Sequence, residues 1–291
     1  MTQTESRPKS GNLPAQTLES PGTQSEMKLQ PDFDMSNYRP ADKLKDKVAI
    51  ITGGDSGIGQ AVAIAFAMEG ANVAIVYNEN DDDADTTRKY VEKHGRRCLT
   101  LKLDVGDKKQ CQEAVNRTIS ELGKVNILVN NAAYQPSQHK FEEIPEDELR
   151  RIFEVDIIGY FFMAQSVLPH LNEGDTIVNT GSTTALMGHP MLVDYSSTKG
   201  AIHTFSKSLA LNLADRKIRV NAVIPGPVWT PLILGSSDDP KAVSKFGAQS
   251  AMQRPGQPEE LAPAYVLLAS KDGSFMTGSL VEVSGGILTV G

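Results

Sequence analysis

The chain has 291 residues, 40% hydrophobic and 22% charged, with 29 Lys and Arg against 36 Asp and Glu. This composition can build a globular core and excludes global disorder, while a net charge of -7 gives no general attraction to phosphate backbones and speaks against a nucleic-acid partner. Cys98 and Cys111 form no CxxC pair, so neither a disulfide scaffold nor a cysteine zinc site is expected, and a cytoplasmic setting suits the count.

Residues 1 to about 38 are rich in Ser, Thr, Gln and Pro, including Pro8, Pro14, Pro21 and Pro31. Such a segment buries too little surface to offset its ordering entropy. It also lacks the apolar stretch of a secretory signal. Residues 1–44 are therefore expected to be a disordered or extended tail, dispensable for folding up to about residue 30. Only Met35–Leu44 is expected to pack on the domain, through Tyr38 and Leu44. No run of about 18 consecutive apolar residues occurs, so no membrane span is expected.

From Lys47 onward, short apolar runs alternate with longer amphipathic stretches. Strands are predicted at Val48–Thr52, Val73–Tyr77, Cys98–Leu103, Ile127–Asn130, Thr176–Asn179, Val220–Ile224 and Val281–Val283. Helices are predicted at Ile58–Glu69, Ala84–His94, Lys108–Leu122, Glu146–Leu171, Tyr195–Ala214 and Pro258–Ala269. The alternation implies a parallel sheet with right-handed crossovers and helices on both faces. Near-continuous apolar strands fit burial on both sides. Residues 45–291 thus read as one doubly wound, Rossmann-like α/β domain.

The segment Thr52-Gly53-Gly54-Asp55-Ser56-Gly57-Ile58-Gly59 joins the first strand to the first helix. In that context one glycine allows the tight turn, another lets the backbone approach a pyrophosphate, and a third lets helix and strand pack closely. The helix N-terminus adds free N–H groups and partial positive charge. A P-loop is excluded, because no Gly-Lys-[Ser/Thr] follows.

The spacing is TGxxxGxG. Further motifs follow in order: Asp104-Val105, Asn130-Asn131-Ala132-Ala133, Ser182, Tyr195-Ser196-Ser197-Thr198-Lys199 and Pro225-Gly226-Pro227-Val228-Trp229-Thr230. With these residues the sequence resembles the short-chain dehydrogenase/reductase family over about residues 45–291. Asp32–Lys47, Gly53–Ser56 and the Pro225–Pro231 stretch look closest to its glucose and ribitol dehydrogenase-like branch. The resemblance implies that Gly53, Ser56, Gly57, Ile58 and Gly59 line a pyrophosphate. It implies that Asp104 and Val105 bracket an adenine, and that Asn131 and Ala132 touch the adenosine ribose and stabilise the sheet. Pro225, Gly226, Val228 and Thr230 would enclose a nicotinamide. Taken alone, an Asn after a strand is as readily a turn residue.

The choice between nicotinamide cofactors falls at Tyr77-Asn78-Glu79-Asn80 and Asp81-Asp82-Asp83. No basic residue stands beside Asn78 to take a 2′-phosphate, and the acidic residues nearby would oppose one. NAD is the expected cofactor, with NADP as the alternative. The three aspartates also read as a solvated helix N-terminus favoured by the macrodipole.

Tyr195 and Lys199 are four apart and share a helix face. Hydride transfer to a carbonyl builds negative charge on its oxygen, which needs a proton donor. Tyr195 is the candidate acid/base, its pKa lowered by Lys199 and an oxidised nicotinamide. Ser182 is the candidate holder of the substrate oxygen, and the resemblance implies that Lys199 also binds the nicotinamide-ribose hydroxyls. Gly181-Ser182-Thr183 is no GxSxG elbow, so no acyl-enzyme is implied. Where the family usually has an Asn behind the Lys, this chain has Asp156, whose carboxylate could alter the proton relay. His139, His170, His189 and His203 lack metal-ligand spacing and read as surface or packing residues, so no metal is expected. Within the family resemblance, His189 and Met191 border the substrate, and Trp229 with Leu232–Met252 forms a substrate-covering segment.

The sequence thus points to an NAD(P)-dependent oxidoreductase acting on a secondary alcohol, polyol or sugar hydroxyl and the matching carbonyl. A 3-oxoacyl-thioester reductase is one alternative, and a low-turnover nucleotide-binding stress or regulatory protein another. A homo-oligomer is expected, a tetramer by family resemblance, with the apolar stretch Gly285–Gly291 open to burial by a partner.

Overall fold

A computed structural model describes residues 7–287. Seven strands form one sheet: β1 (Val48–Thr52), β2 (Asn72–Tyr77), β3 (Cys98–Lys102), β4 (Ile127–Asn130), β5 (Thr176–Thr180), β6 (Arg219–Pro225) and β7 (Leu280–Val283). All neighbours pair in parallel, in the order β3-β2-β1-β4-β5-β6-β7. The helices are α1 (Gly57–Met68), α2 (Asp81–Lys93), α3 (Lys108–Leu122), α4 (Glu146–Phe153), α5 (Gly159–Val167), α6 (Thr184–Met187), α7 (Val193–Asn212), α8 (Pro231–Ser236), α9 (Pro240–Ser244) and α10 (Pro258–Ala269). The predicted doubly wound α/β architecture is the observed one.

Strand residues alternate between two cores. Ala49 and Ile51 of β1 join α1, α2 and α10 on one face, whereas Ile50 joins α3, α5 and α7 on the other. Both cores exclude water, so every residue of β1 is buried and the strand carries no polar face. The strand order reverses between β1 and β4. Crossovers leave that point in opposite directions and open a crevice at the C-terminal strand ends.

One predicted helix differs in detail, and three short helices lie outside the predicted set. The helix expected over Glu146–Leu171 is divided: a π-helical turn, Glu154–Ile158, separates α4 from α5, and a 3-10 turn, Leu168–His170, ends the run. The run Glu146–His170 has the length and apolar content of a bilayer span, but Ile152, Val155, Tyr160, Met163 and Val167 are buried in the protein core. The short helices α6, α8 and α9 span only 4–6 residues, too few for a periodic signal.

The tail is irregular, as its composition implies, but residues 7–30 are not free of the core. Leu13 and Met27 are buried against Trp229, Leu234 and Val243. The Trp229 indole N–H donates to the Leu29 carbonyl at 2.9 Å. Leu18 N–H donates to the Leu234 carbonyl at 2.9 Å, and Gly11 N–H to that of Ser244 at 2.8 Å. Arg7 pairs with Glu259 and Glu260 at the start of α10. This corrects the expectation that residues up to about 30 offer no core. Average composition undercounts a few anchors that dock into a preformed groove, where the folded domain supplies the backbone's hydrogen-bond partners. Farther along, Met35 and Leu44 are buried as expected of that region. Tyr38 donates to the buried Glu69 carboxylate, which also accepts the N–H groups of Ala41 and Lys43. Residues 1–6 and 288–291, the latter part of the proposed oligomer contact, lie outside the described residues.

Met27→Ala should destabilise the protein by about 2 kcal/mol through the cavity it leaves. The thermal midpoint should then fall by about 4–8 °C at this chain length. An unchanged midpoint in a thermal melt would show that the tail contributes no core.

Candidate active site

A cavity of about 510 Å³ occupies the crevice above β1 and β4. Its floor begins at the phosphate loop, where Gly53 (φ 61°) and Gly57 (φ 51°) adopt left-handed backbone that favours glycine. A Cβ on Gly59 would lie 1.9 Å from the Gly53 carbonyl oxygen, so α1 can approach the loop only without a side chain there. Gly59 therefore packs the helix onto the loop and is not on the cavity wall, which corrects its expected place beside the pyrophosphate. Gly53, Ser56, Gly57 and Ile58 do line the cavity.

Asn131 holds this loop. Its side-chain amide donates to the carbonyls of Thr52 (3.2 Å) and Gly53 (3.1 Å). The Thr52 hydroxyl accepts the N–H groups of Asn131 (2.9 Å) and Ala132 (3.0 Å). Asn130 turns the other way and donates to Asn179 at 3.0 Å, which ties β4 to β5. Both Asn131 and Ala132 also line the cavity.

At one end the wall consists of Asn78, Asp104 and Val105, with Arg151 beside them. Arg151 pairs with Asp104 at 2.8 Å, and no motif had marked it. Asp81 is exposed and paired with Lys102 at 2.8 Å, and the Asp83 carboxylate accepts the N–H of Gln24 at 2.8 Å. Both roles agree with a helix N-terminus more than with cofactor selection. Arg88 is engaged by Asp85 and Glu92. At the other end stand Pro225, Gly226, Val228 and Thr230, then Ser182, Tyr195 and Lys199. An elongated cleft with a bare glycine backbone and a helix N-terminus at its middle fits a dinucleotide.

The catalytic candidates converge at this end. β5 delivers Ser182, whose hydroxyl accepts the Thr184 N–H at 3.1 Å and the Thr184 hydroxyl at 2.9 Å. The Ser182 N–H donates to Nε2 of His203 at 3.4 Å. That bond needs a neutral imidazole, and burial, reinforced by Lys199, pushes the His203 pKa down to about 4. His203 is thus a packing residue that also supports Ser182. α7 places Lys199 Nζ 5.2 Å from the Tyr195 ring centroid. The side chain of Lys199 is 1% exposed; Nζ lies 3.4 Å from the Thr180 carbonyl and 3.5 Å from the Tyr160 hydroxyl.

Asp156 is brought to Lys199 by the π-helical turn. The wider turn points Val155, Asp156 and Ile157 inward in succession. Asp156 Oδ1 accepts the Tyr134 N–H at 2.7 Å. Oδ2 lies 3.3 Å from Lys199 Nζ without a well-directed hydrogen bond, so the contact is an ion pair. Asp156 is therefore behind Lys199 and off the cavity wall. Burial pushes its pKa up to about 6 against the restraint of Lys199 and the Tyr134 N–H. Tyr195 is pushed above the ordinary tyrosine range by burial and then by the Asp156 charge, with a Ser182 hydrogen bond opposing both. The expected lowering by Lys199 and an oxidised nicotinamide would act against this upward push from desolvation and the neighbouring carboxylate.

A protein-family profile described as Enoyl-(Acyl carrier protein) reductase matches residues 53–288. The chain is 50% identical to the Bacillus subtilis oxidoreductase YhdF, covering 95% of each. It is 43% identical to a carrot (Daucus carota) glucose and ribitol dehydrogenase, over 97% of this chain and 99% of that one. A Burkholderia cenocepacia short chain dehydrogenase in complex with NADP superimposes with a TM-score of 0.79 at 29% identity, covering 84% of this chain and 99% of that one. A Brucella melitensis 3-ketoacyl-(acyl-carrier-protein) reductase complexed with NADH gives 0.76 at 33% identity, with the same coverage. Fold, cleft and relatives together define an oxidoreductase of the dinucleotide-binding α/β class. The chain belongs to the short-chain dehydrogenase/reductase family.

Asp156→Asn should move the pH dependence of alcohol oxidation. With Tyr195 as the expected base, oxidation would draw on its phenolate, which the Asp156 charge disfavours above about pH 6. Its removal should shift the rising limb of the pH–rate profile down by about one pH unit. A limb that stays or moves up would exclude the Asp156 side chain from the relay.

Proposed function

We propose that the protein interconverts a secondary alcohol, polyol or sugar hydroxyl and the corresponding carbonyl with a nicotinamide cofactor. The observation that carries this reading is the convergence of Ser182, Tyr195 and the buried Lys199 at one end of the cleft. Bound there, the nicotinamide supplies or accepts the hydride. The Ser182 hydroxyl holds the substrate oxygen, and the Tyr195 hydroxyl gives it a proton in reduction or takes one in oxidation. Lys199 lowers the cost of the phenolate and offers its ammonium to the cofactor ribose. Asn78, Glu79 and Asn80 on the wall supply no cation for a 2′-phosphate, so NAD is preferred, with NADP also accepted. The name of the carrot relative supports a polyol or sugar substrate.

A 3-oxoacyl-thioester is the second substrate class, favoured by the name of the Brucella neighbour. A panel of polyols, sugars, simple carbonyls and a 3-oxoacyl thioester, run with both cofactors, separates the two. No turnover across the panel would favour the nucleotide-binding regulatory alternative. We further propose a homotetramer, because Ile158, Phe161, Leu211 and Phe275 expose apolar surface. The cytoplasm is the proposed compartment, since Cys98 and Cys111 are free thiols whose pKa burial pushes up to about 12.

Tyr195→Phe should lower kcat about 10²–10⁴-fold while cofactor affinity is retained; Lys199→Ala should weaken both. A Phe variant with at least a tenth of wild-type kcat, a loss under about 1.4 kcal/mol, would remove Tyr195 as the acid/base. Calorimetric titration should give a lower Kd for NAD than for NADP, and the reverse order would point to Arg151, the cation that lines the cavity beside Asp104, as a 2′-phosphate partner.

A further inference from the structure

The tail crosses the mouth of the cleft between the phosphate loop and α8. Ser20, Pro21 and Gly22 line the cavity. A Cβ on Gly22 would lie 2.8 Å from the Pro231 carbonyl oxygen, and one on Gly235 would lie 2.9 Å from the Gly22 nitrogen. The tail is thus packed backbone to backbone on the substrate-covering segment.

Two residues on, Gln24 is buried and engaged through both ends of its amide. Its Oε1 accepts the N–H of Gly57, the first residue of α1, at 3.0 Å. Its Nε2 donates to Gln60 Oε1 at 2.7 Å. Gln60 in turn donates to the Asp55 carbonyl at 3.3 Å and to the Thr87 hydroxyl at 2.8 Å, and Thr87 donates to the same carbonyl at 2.8 Å. One tail side chain therefore stands at the head of a buried polar chain that ends on the phosphate-loop backbone. Without Gln24, the Gly57 N–H and the Gln60 oxygen lose their partners, and the loop loses its outer support.

We propose that Ser20–Gln24 is the outer wall of the cofactor site and that Gln24 is a positioning residue for the phosphate loop, so that the dinucleotide dissociates only when this strap lifts. The inference rests on the cofactor reading of the cleft and adds a contribution from outside the sheet and its crossovers. The wall groups are uncharged, which suits a polyanionic ligand. Because the strap is also packed on α8, cofactor retention and the position of the substrate-covering segment are coupled.

The test is stopped-flow displacement of NADH or NADPH, followed by its fluorescence, on the full chain. Gln24→Ala should raise the dissociation rate constant about tenfold, the scale of two lost hydrogen bonds. Val167→Ala, which loosens the core on the opposite face of the sheet, should leave that constant unchanged and so controls for lost stability. A chain beginning at residue 31 should dissociate at least as fast as the Gln24 variant. Should that chain fail to fold, tryptic cleavage after the exposed Lys28 of the intact protein gives the second readout, and saturating NADH or NADPH should slow it. Dissociation from Gln24→Ala at the wild-type rate, or cleavage indifferent to cofactor, would overturn the strap. Failure of the wild-type protein to bind either dinucleotide would instead overturn the cofactor reading beneath it.

Discussion

The Lys199 ammonium is held almost without water, and the active-site end of the molecule is built around that constraint. Withdrawing such a charge from solvent costs several kcal/mol unless it is paired and hydrogen-bonded. Asp156 supplies the countercharge, with Thr180 and Tyr160 providing oxygen neighbours. Each arrives from a different element, so the site forms only when β5, the π-helical turn, α5 and α7 are packed together. The Tyr160 hydroxyl itself donates to the Thr180 carbonyl at 3.2 Å, which closes the group on itself. A carboxylate so placed has two opposed effects: it supplies the ammonium's countercharge and disfavours the phenolate that the ammonium would promote.

The middle of the cleft is held by neutral hydrogen bonds. The phosphate loop receives Asn131 from β4 on its inner side and Gln24 from the tail on its outer side. The glycines permit the close approach but do not fix it; the amides do. This division explains why the loop can be rigid while carrying little side-chain bulk. It also makes the tail part of the domain in energetic terms, since it satisfies the Gly57 N–H and the Gln60 side-chain oxygen.

Much of this was legible in the sequence. The seven strands, the order of the major helices and the chemistry-bearing motifs follow from apolar runs and from glycine and asparagine at strand ends, because those signals are local. Asp156 stood out only by its departure from a family pattern; its ion pair depends on a π-helical turn that no periodicity announces. Arg151 was invisible because its place beside Asp104 arises from packing between segments far apart in the chain. The tail was misjudged for the same reason. Gln24 has no local mark of importance, and Leu13 and Met27 are two apolar residues in a polar stretch whose partners, Trp229 and Leu234, lie some 200 residues away. Gly59 was placed in the right motif and assigned the wrong neighbour, since spacing alone does not say which glycine faces a ligand and which faces a carbonyl.

Trp229 gives the molecule a built-in optical label. It is the one tryptophan in the chain, fully buried, with its indole N–H on the Leu29 carbonyl and cavity-lining Val228 and Thr230 on either side in sequence. An indole so enclosed emits from a single environment, free of the overlapping signals that complicate most proteins of this size. Departure of the tail would expose the ring edge and redden its emission, while a reduced nicotinamide in the neighbouring cleft would absorb in the same band. Opening of the tail and filling of the cleft would therefore be written in one spectrum, as a change of wavelength and a change of intensity.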